Sequence, residues 1–163
     1  MELIKKYLDK ALESTIILLM AANVINVLWQ IFTRFVLKDP SSFTEELARY
    51  LLIWVGLLGA GYAVSKKLHL AIDIIPGRLE GKNRLILDIA VESVIFLFAF
   101  LVLVIGGIRL VGITLMLNQV SAALQIKMGY VYLALPLSGL IIMFYSLEKI
   151  LEKFRSQPGG EKE

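Results

Sequence analysis

The sequence predicts an all-α integral membrane protein with four transmembrane helices and both termini in the cytoplasm. Three observations carry this. Of 163 residues, 58% are hydrophobic and only 19% are charged, whereas about a quarter of a soluble domain is charged. The charges fall in short groups separated by long uncharged runs, each about the 20 residues needed to cross a hydrocarbon core of roughly 30 Å. Lys and Arg also collect in alternate connections, which orients the chain. The mean hydropathy is +0.75.

The first apolar run predicts a helix over about Leu12–Leu37. Lys5, Lys6 and Lys10 precede it, as in a signal peptide. The run continues from Ser14 past Phe32, too long for a cleavable segment, and no small-residue cleavage site stands out. It is therefore read as a retained helix. Asn23, Asn26 and Gln30 lie at i, i+3 and i+7 and share one face. Amides facing lipid would leave hydrogen bonds unmet, so this face is expected to meet another helix. Trp29 suits the membrane interface.

The turn Lys38–Ser42 leads to a second helix over about Phe43–Ser65. Ser42 and Glu45 have the spacing of a capping box, and Glu45 and Glu46 sit at the positive end of the helix dipole. Gly56/Ala60 and Gly59/Ala63 are small-x-x-x-small pairs that let another helix come close. Residues Lys66 to Arg84 form the most polar internal stretch, broken by Pro76-Gly77. A third helix is expected over about Asn83–Leu117. At 1.5 Å per residue it spans roughly 50 Å and must tilt or protrude. After a short connection, the fourth helix covers about Met128–Leu147, with Pro136 and Gly139 as a kink site. Together residues 1–155 make one four-helix domain, and the charged, Pro-Gly-Gly-containing stretch 156–163 reads as a flexible cytoplasmic tail.

Counting Lys and Arg sets the orientation. Lys5, Lys6 and Lys10 lie before the first helix, and Lys66, Lys67, Arg78, Lys82 and Arg84 lie in or beside the central loop. Lys149, Lys153, Arg155 and Lys162 follow the fourth helix. The other two connections hold Arg34 and Lys38, and Arg109 and Lys127. The bias predicts an N-in/C-in arrangement.

Composition removes several function classes. There is no cysteine and one histidine, His69. Disulfides, thiolate nucleophiles and Cys-based metal sites are excluded, and a multi-histidine zinc or haem site is out of reach of this chain. The net charge is +3, but the basic residues are spread through loops, so no nucleic-acid partner is implied. No nucleophile triad, metalloprotease motif, phosphate loop or dinucleotide fingerprint is present. No enzyme activity and no cofactor are expected.

Three constellations remain. Glu45 and Arg49 lie at i, i+4 in the favourable order for a helical ion pair. They read as a local pair at a helix start, as a charged contact with a partner subunit, or as a substrate or ion site. His69 and Asp73 share the same spacing and read as an interfacial element or a proton relay. Asp88 and Glu92 open the third helix on one face. Neutralisation by Lys82 and Arg84, a salt bridge to a partner helix, and ion coupling all fit them. Arg109, near the far end of that helix, can snorkel to lipid headgroups. Lys66 and Lys67 of the basic central loop are further lipid contacts.

The order of these features resembles the small membrane subunit of tripartite ATP-independent periplasmic (TRAP) transporters, the DctQ-like small permease family. The matching residues are Arg34-Phe35, Glu45-Glu46-Leu47-Ala48-Arg49-Tyr50, Trp54, Gly59-Ala60 and His69-x-x-x-Asp73. Ser121-Ala122-Ala123-Leu124-Gln125-Ile126 and Tyr130–Pro136 follow. Lys127 stands where the family often has proline. The resemblance covers about residues 10 to 150.

It implies a scaffold that pairs with a large membrane subunit as a heterodimer in the bacterial or archaeal cytoplasmic membrane. In that family the large subunit holds the sodium and substrate sites and moves as an elevator. A periplasmic binding protein delivers an organic acid such as a C4-dicarboxylate or sialic acid. On this reading Asn23, Asn26, Gln30, Arg34, Glu45, Glu46, Arg49 and Trp54 are the expected subunit contacts, and residues 38–44 and 117–127 offer periplasmic docking surface. A tripartite tricarboxylate small subunit and a stand-alone proton-coupled exporter are the alternatives.

Overall fold

A computed structural model describes residues 2–39, 41–66 and 82–155. His69, Asp73 and Lys67 lie outside them, as does the expected tail 156–163. Helix α1 spans Glu2–Phe32 and continues through a π-helical turn, Thr33–Leu37. Helix α2 spans Ser42–Ser65. Helix α3 spans Lys82–Phe98, a π-helical segment follows over Ala99–Gly106, and α4 completes that rod over Gly107–Met116. Helix α5 is the short Met128–Tyr132, and α6 spans Ala134–Arg155. Four stretches are long and apolar enough to cross a membrane: Lys5–Leu37, Ser42–Ser65, Arg84–Met116 and Met128–Lys153.

The spans run up and down, giving two ends. At the basal end α1 begins, α2 finishes, α3 begins and α6 finishes. At the distal end lie the turn before α2 and the connection from α4 to α5. The fourth span is the centre of the bundle: 44% of its most apolar stretch is buried, against 11 to 22% for the other three. Helix α6 packs against α2, α3 and the π-helical segment, while α1 packs on α2. Leu12, Leu58, Ala99, Leu103, Ile142 and Tyr145 form the core.

Close approach of α6 to the third span depends on small residues. A Cβ at Gly139 would sit 2.8 Å from the Leu103 Cβ and 3.2 Å from the Val104 amide nitrogen. Ala99, Ala134 and Ser138 are fully buried. The proline of the fourth span acts one turn upstream of itself. Pro136 has no N–H for the Tyr132 carbonyl, and the helix is interrupted at Leu133, between α5 and α6.

Two boundaries differ from the hydropathy reading. Helix α1 starts at Glu2 rather than near Leu12, and α6 continues to Arg155 rather than stopping near Leu147. Both extensions are polar, and cross-helix ion pairs hold them. The capping box of Ser42 and Glu45 does not form. Ser41 is the N-cap residue, without a side-chain cap bond, and Thr44 Oγ1 donates back to the Ser41 carbonyl at 2.7 Å. Glu45 turns outward to Arg49 instead.

Candidate functional site

The basal end is a charged lattice across four helices, α1, α2, α3 and α6. Asp9 of α1 accepts hydrogen bonds from the Ser65 hydroxyl at 2.6 Å, the Tyr145 hydroxyl at 2.5 Å and Lys66 at 3.2 Å. Lys66 lies just past the end of α2, exposed to solvent, and its bond to Asp9 raises its pKa above the ordinary lysine value. Lys5 pairs with Glu148 at 3.0 Å and reaches Glu152 at 3.9 Å. Glu92 meets Lys149 at 3.1 Å and Asp88 meets Lys153 at 2.9 Å. The carboxylates that open α3 are thus neutralised by α6. A cavity of about 590 Å³ at this end is ringed by both signs, among them Lys5, Asp9, Lys66 and Glu148.

The distal end is tied by hydrogen bonds to the start of α2. Asn26, buried in α1, donates its Nδ2 to the Thr44 carbonyl at 2.7 Å. Glu46 reaches across to the connection between α4 and α5. Its Oε1 accepts the Ala122 N–H, and its Oε2 accepts the Ala123 and Leu124 N–H groups, each at 3.1 Å. One turn further, the Tyr50 hydroxyl donates to Met128 Sδ at 3.2 Å.

The connection itself is a compact hairpin. Helix α4 ends in a Schellman motif. The Asn118 N–H bonds to the Leu115 carbonyl and the Gln119 N–H to the Thr114 carbonyl, with Asn118 left-handed at φ 47°. Val120 and Lys127 then form an isolated antiparallel bridge. Gln125 turns the chain at φ 56°, and its Nε2 donates to the Ala122 carbonyl at 2.9 Å.

The expected contact residues divide into two groups. Asn23, Asn26 and Glu46 lie within the bundle or bond to it, and Trp54 is half-buried against the core. Gln30, Arg34 and Glu45 line a distal pocket of about 380 Å³ with Ser41 and Ser42. Arg49 is exposed beside Glu45, 3.4 Å away. Glu45, Arg49, Leu52, Gly56 and Ala60 repeat at helical spacing and are all exposed, so they make one open face of α2. Among the described residues, nothing lies within 4 Å of a Cβ placed at Gly56 or Gly59. Arg109 is exposed on α4. Sequence reasoning did not find Asp9 and Tyr145, whose partners lie far off in the chain.

Together these features define a class: a multi-pass helical membrane subunit, cross-tied at both ends, with most of its apolar middle uncovered by its own chain. The family model for the DctQ component of tripartite ATP-independent periplasmic transporters matches residues 23–156. The chain is 30% identical to the sialic acid TRAP transporter small permease protein SiaQ of Vibrio cholerae, over 92% of this chain and 85% of the relative. It is 26% identical to the C4-dicarboxylate TRAP transporter small permease protein DctQ of Rhodobacter capsulatus, over 65% and 46%. It is also 29% identical to the sialic acid TRAP transporter permease protein SiaT of Haemophilus influenzae. That match covers 78% of this chain and only 20% of the relative. The chain belongs to the DctQ component family of TRAP transporters: it is a small permease subunit of the bacterial inner membrane, and not an enzyme.

Proposed function

We propose that this chain is the immobile scaffold of a sodium-coupled TRAP transporter that takes up an organic acid, a C4-dicarboxylate, sialic acid or a similar carboxylate. It forms a heterodimer with the large membrane subunit, lies N-in/C-in, and places its basal end in the cytoplasm and its distal end in the periplasm. A periplasmic binding protein docks at the distal end, on residues 38–44 and 117–127. Lipid headgroups contact Arg109 on one side and Lys66 and Lys67 on the other.

The observation that carries this reading is the placement of charge. No Asp, Glu, Lys or Arg occurs in residues 14–33, 50–65, 93–108 or 128–147. A subunit that moved ions itself would be expected to hold ionisable groups at mid-depth. The charges at the basal end instead pair with one another. The open face of α2 supports the partnership: small residues let a second membrane helix approach, and the Glu45–Arg49 pair and Arg34 cap its distal end. The similarity to one fifth of a longer permease chain supports a larger membrane partner. In this arrangement Gln30, Arg34, Glu45 and Arg49 touch the large subunit, while Asn23, Asn26, Glu46 and Trp54 shape the surface from within.

The test is sodium-dependent uptake in proteoliposomes holding the large subunit and binding protein, with and without this chain. Candidate acids are first screened by thermal shift on the binding protein. Uptake that needs all three proteins supports the scaffold. Transport of substrate or protons by this chain alone would sink it.

A further inference from the structure

We infer that Glu46 is a positioning residue: its carboxylate, seated on three consecutive backbone amides, holds the 118–127 hairpin in a preformed shape for docking of the binding protein. This rests on the reading above that the binding protein docks at the distal end.

The geometry supports a dedicated role. Glu46 and its partners are 76 to 78 residues apart in the chain. The N–H groups of Ala122, Ala123 and Leu124 converge on its two oxygens, an arrangement that binds anions. A charged acceptor makes each of these bonds stronger than a neutral one. Apart from the Schellman cap at its start, the segment's other support is local, including the Gln125 bond to the Ala122 carbonyl. Its ladder is the one bridge Val120–Lys127, and its turn places Gln125 in the left-handed region, which a side chain disfavours. Without Glu46 the amides of 122–124 would turn to water and the turn would lose its tether to α2.

The same tether fixes what the hairpin shows. Val120 and Ile126 are 46% and 41% exposed, with Gln125 and Lys127 also at the surface. The hairpin thus shows single apolar side chains among polar ones, suited to a soluble protein that must dock and leave. A mobile loop would pay its ordering entropy at each docking event, and a rigid one has met that cost in folding. Glu45, next in the chain, faces outward to Arg49 and takes no part, so adjacent glutamates have separate tasks.

The experiment compares the assembled transporter carrying Glu46→Gln with wild type in two measurements. One is amide hydrogen exchange over residues 118–127. The other is uptake in proteoliposomes as binding-protein concentration is raised. The expected result is faster exchange at 122–124 and a half-saturating concentration raised about tenfold, equal to roughly 1.4 kcal/mol, with maximal uptake within about twofold of wild type. Glu46→Asp, one methylene shorter, keeps the charge and should give a smaller change in both readouts, which also covers poor yield of the glutamine variant.

Unchanged exchange overturns the inference. So does faster exchange with an unchanged half-saturating concentration, or a fall confined to maximal uptake. Ile126→Asp, on an intact hairpin, separates the two levels. If it raises the half-saturating concentration while Glu46→Gln does not, docking on the hairpin stands and the role of Glu46 falls. If neither variant moves it, docking at the hairpin is itself wrong.

Discussion

Replacing Lys149 with methionine tests how the basal end is held. Glu92 and Lys149 lie 3.1 Å apart, with side chains 11% and 9% exposed. Two unit charges at that separation attract by about 5 kcal/mol at an effective dielectric of 20, and desolvation offsets much of this. The mutation removes the attraction and leaves Glu92 buried without its cation. Breaking a buried pair in this way costs about 3–5 kcal/mol. The neighbouring pair gives an internal control. Lys153 and Asp88 are as close, at 2.9 Å, but 30% and 25% exposed. Lys153→Met should therefore cost about 1 kcal/mol or less.

The assay is reversible denaturation of the purified chain in mild detergent, in a Trp29→Phe background, followed by the fluorescence of Trp54, which packs against the core. Lys149→Met should fall well below both wild type and Lys153→Met. The charge swap Glu92→Lys/Lys149→Glu should recover at least half of the loss. The apolar pair Glu92→Leu/Lys149→Met should lie near wild type, because a buried ion pair is replaceable when both charges go. The reasoning is refuted if Lys149→Met costs no more than Lys153→Met, or if the swap does no better than the single variant.

Four further outcomes follow from the packing. Asp9→Ala strands the Tyr145 hydroxyl, whose residue is 1% exposed, and should cost about 1–3 kcal/mol in the same assay. The raised pKa of Lys66 adds a pH signature: stability from its bond to Asp9 is complete below the ordinary lysine pKa and is lost as pH rises through the raised value. Asp9→Asn should flatten this alkaline decline in a melting series. Gly139→Val drives a side chain into Leu103 and Val104 and should cost about 1–3 kcal/mol or abolish assembly. Gly56→Leu meets open space, so the isolated chain should melt as wild type while recovery of the large subunit in a pull-down falls severalfold.

The four spans were legible because an uncharged run of membrane length has few other uses. Their ends were less so, because hydropathy marks where the apolar stretch stops, not where the helix stops. The basal extensions of α1 and α6 carry Lys5, Asp9, Glu148, Lys149 and Lys153, all of which find partners across the bundle. One cross-helix match was present in the sequence. Asp88/Glu92 and Lys149/Lys153 are both i, i+4 pairs, and antiparallel packing sets 88 against 153 and 92 against 149. The nearby bases Lys82 and Arg84 offer the same carboxylates a partner closer in the sequence. The π-helical segment Ala99–Gly106 left no such trace beyond the Gly106-Gly107 pair at its end. The sequence points to Glu46 as an interface residue only through its place in the Glu45–Tyr50 motif. No local rule shows that a glutamate at a helix start will seat itself on amides 76 residues away.

The distribution of polar groups also argues for what this subunit does not do. Sliding α6 by one helical turn along α3 would bring Glu92 to Lys153, but it would leave Lys149 among apolar residues and Asp88 without Lys153. Each slip therefore buries an unpaired charge, so the ladder enforces one register more than it adds net stability. At the distal end Asn26 and Glu46 bind α2 to two other elements. A moving transport domain needs ends that release. Here the internal ties resist rearrangement, while the apolar middle and the open α2 face have no strong internal demand and are free to meet lipid or a partner. That division of labour supports the immobile scaffold proposed above.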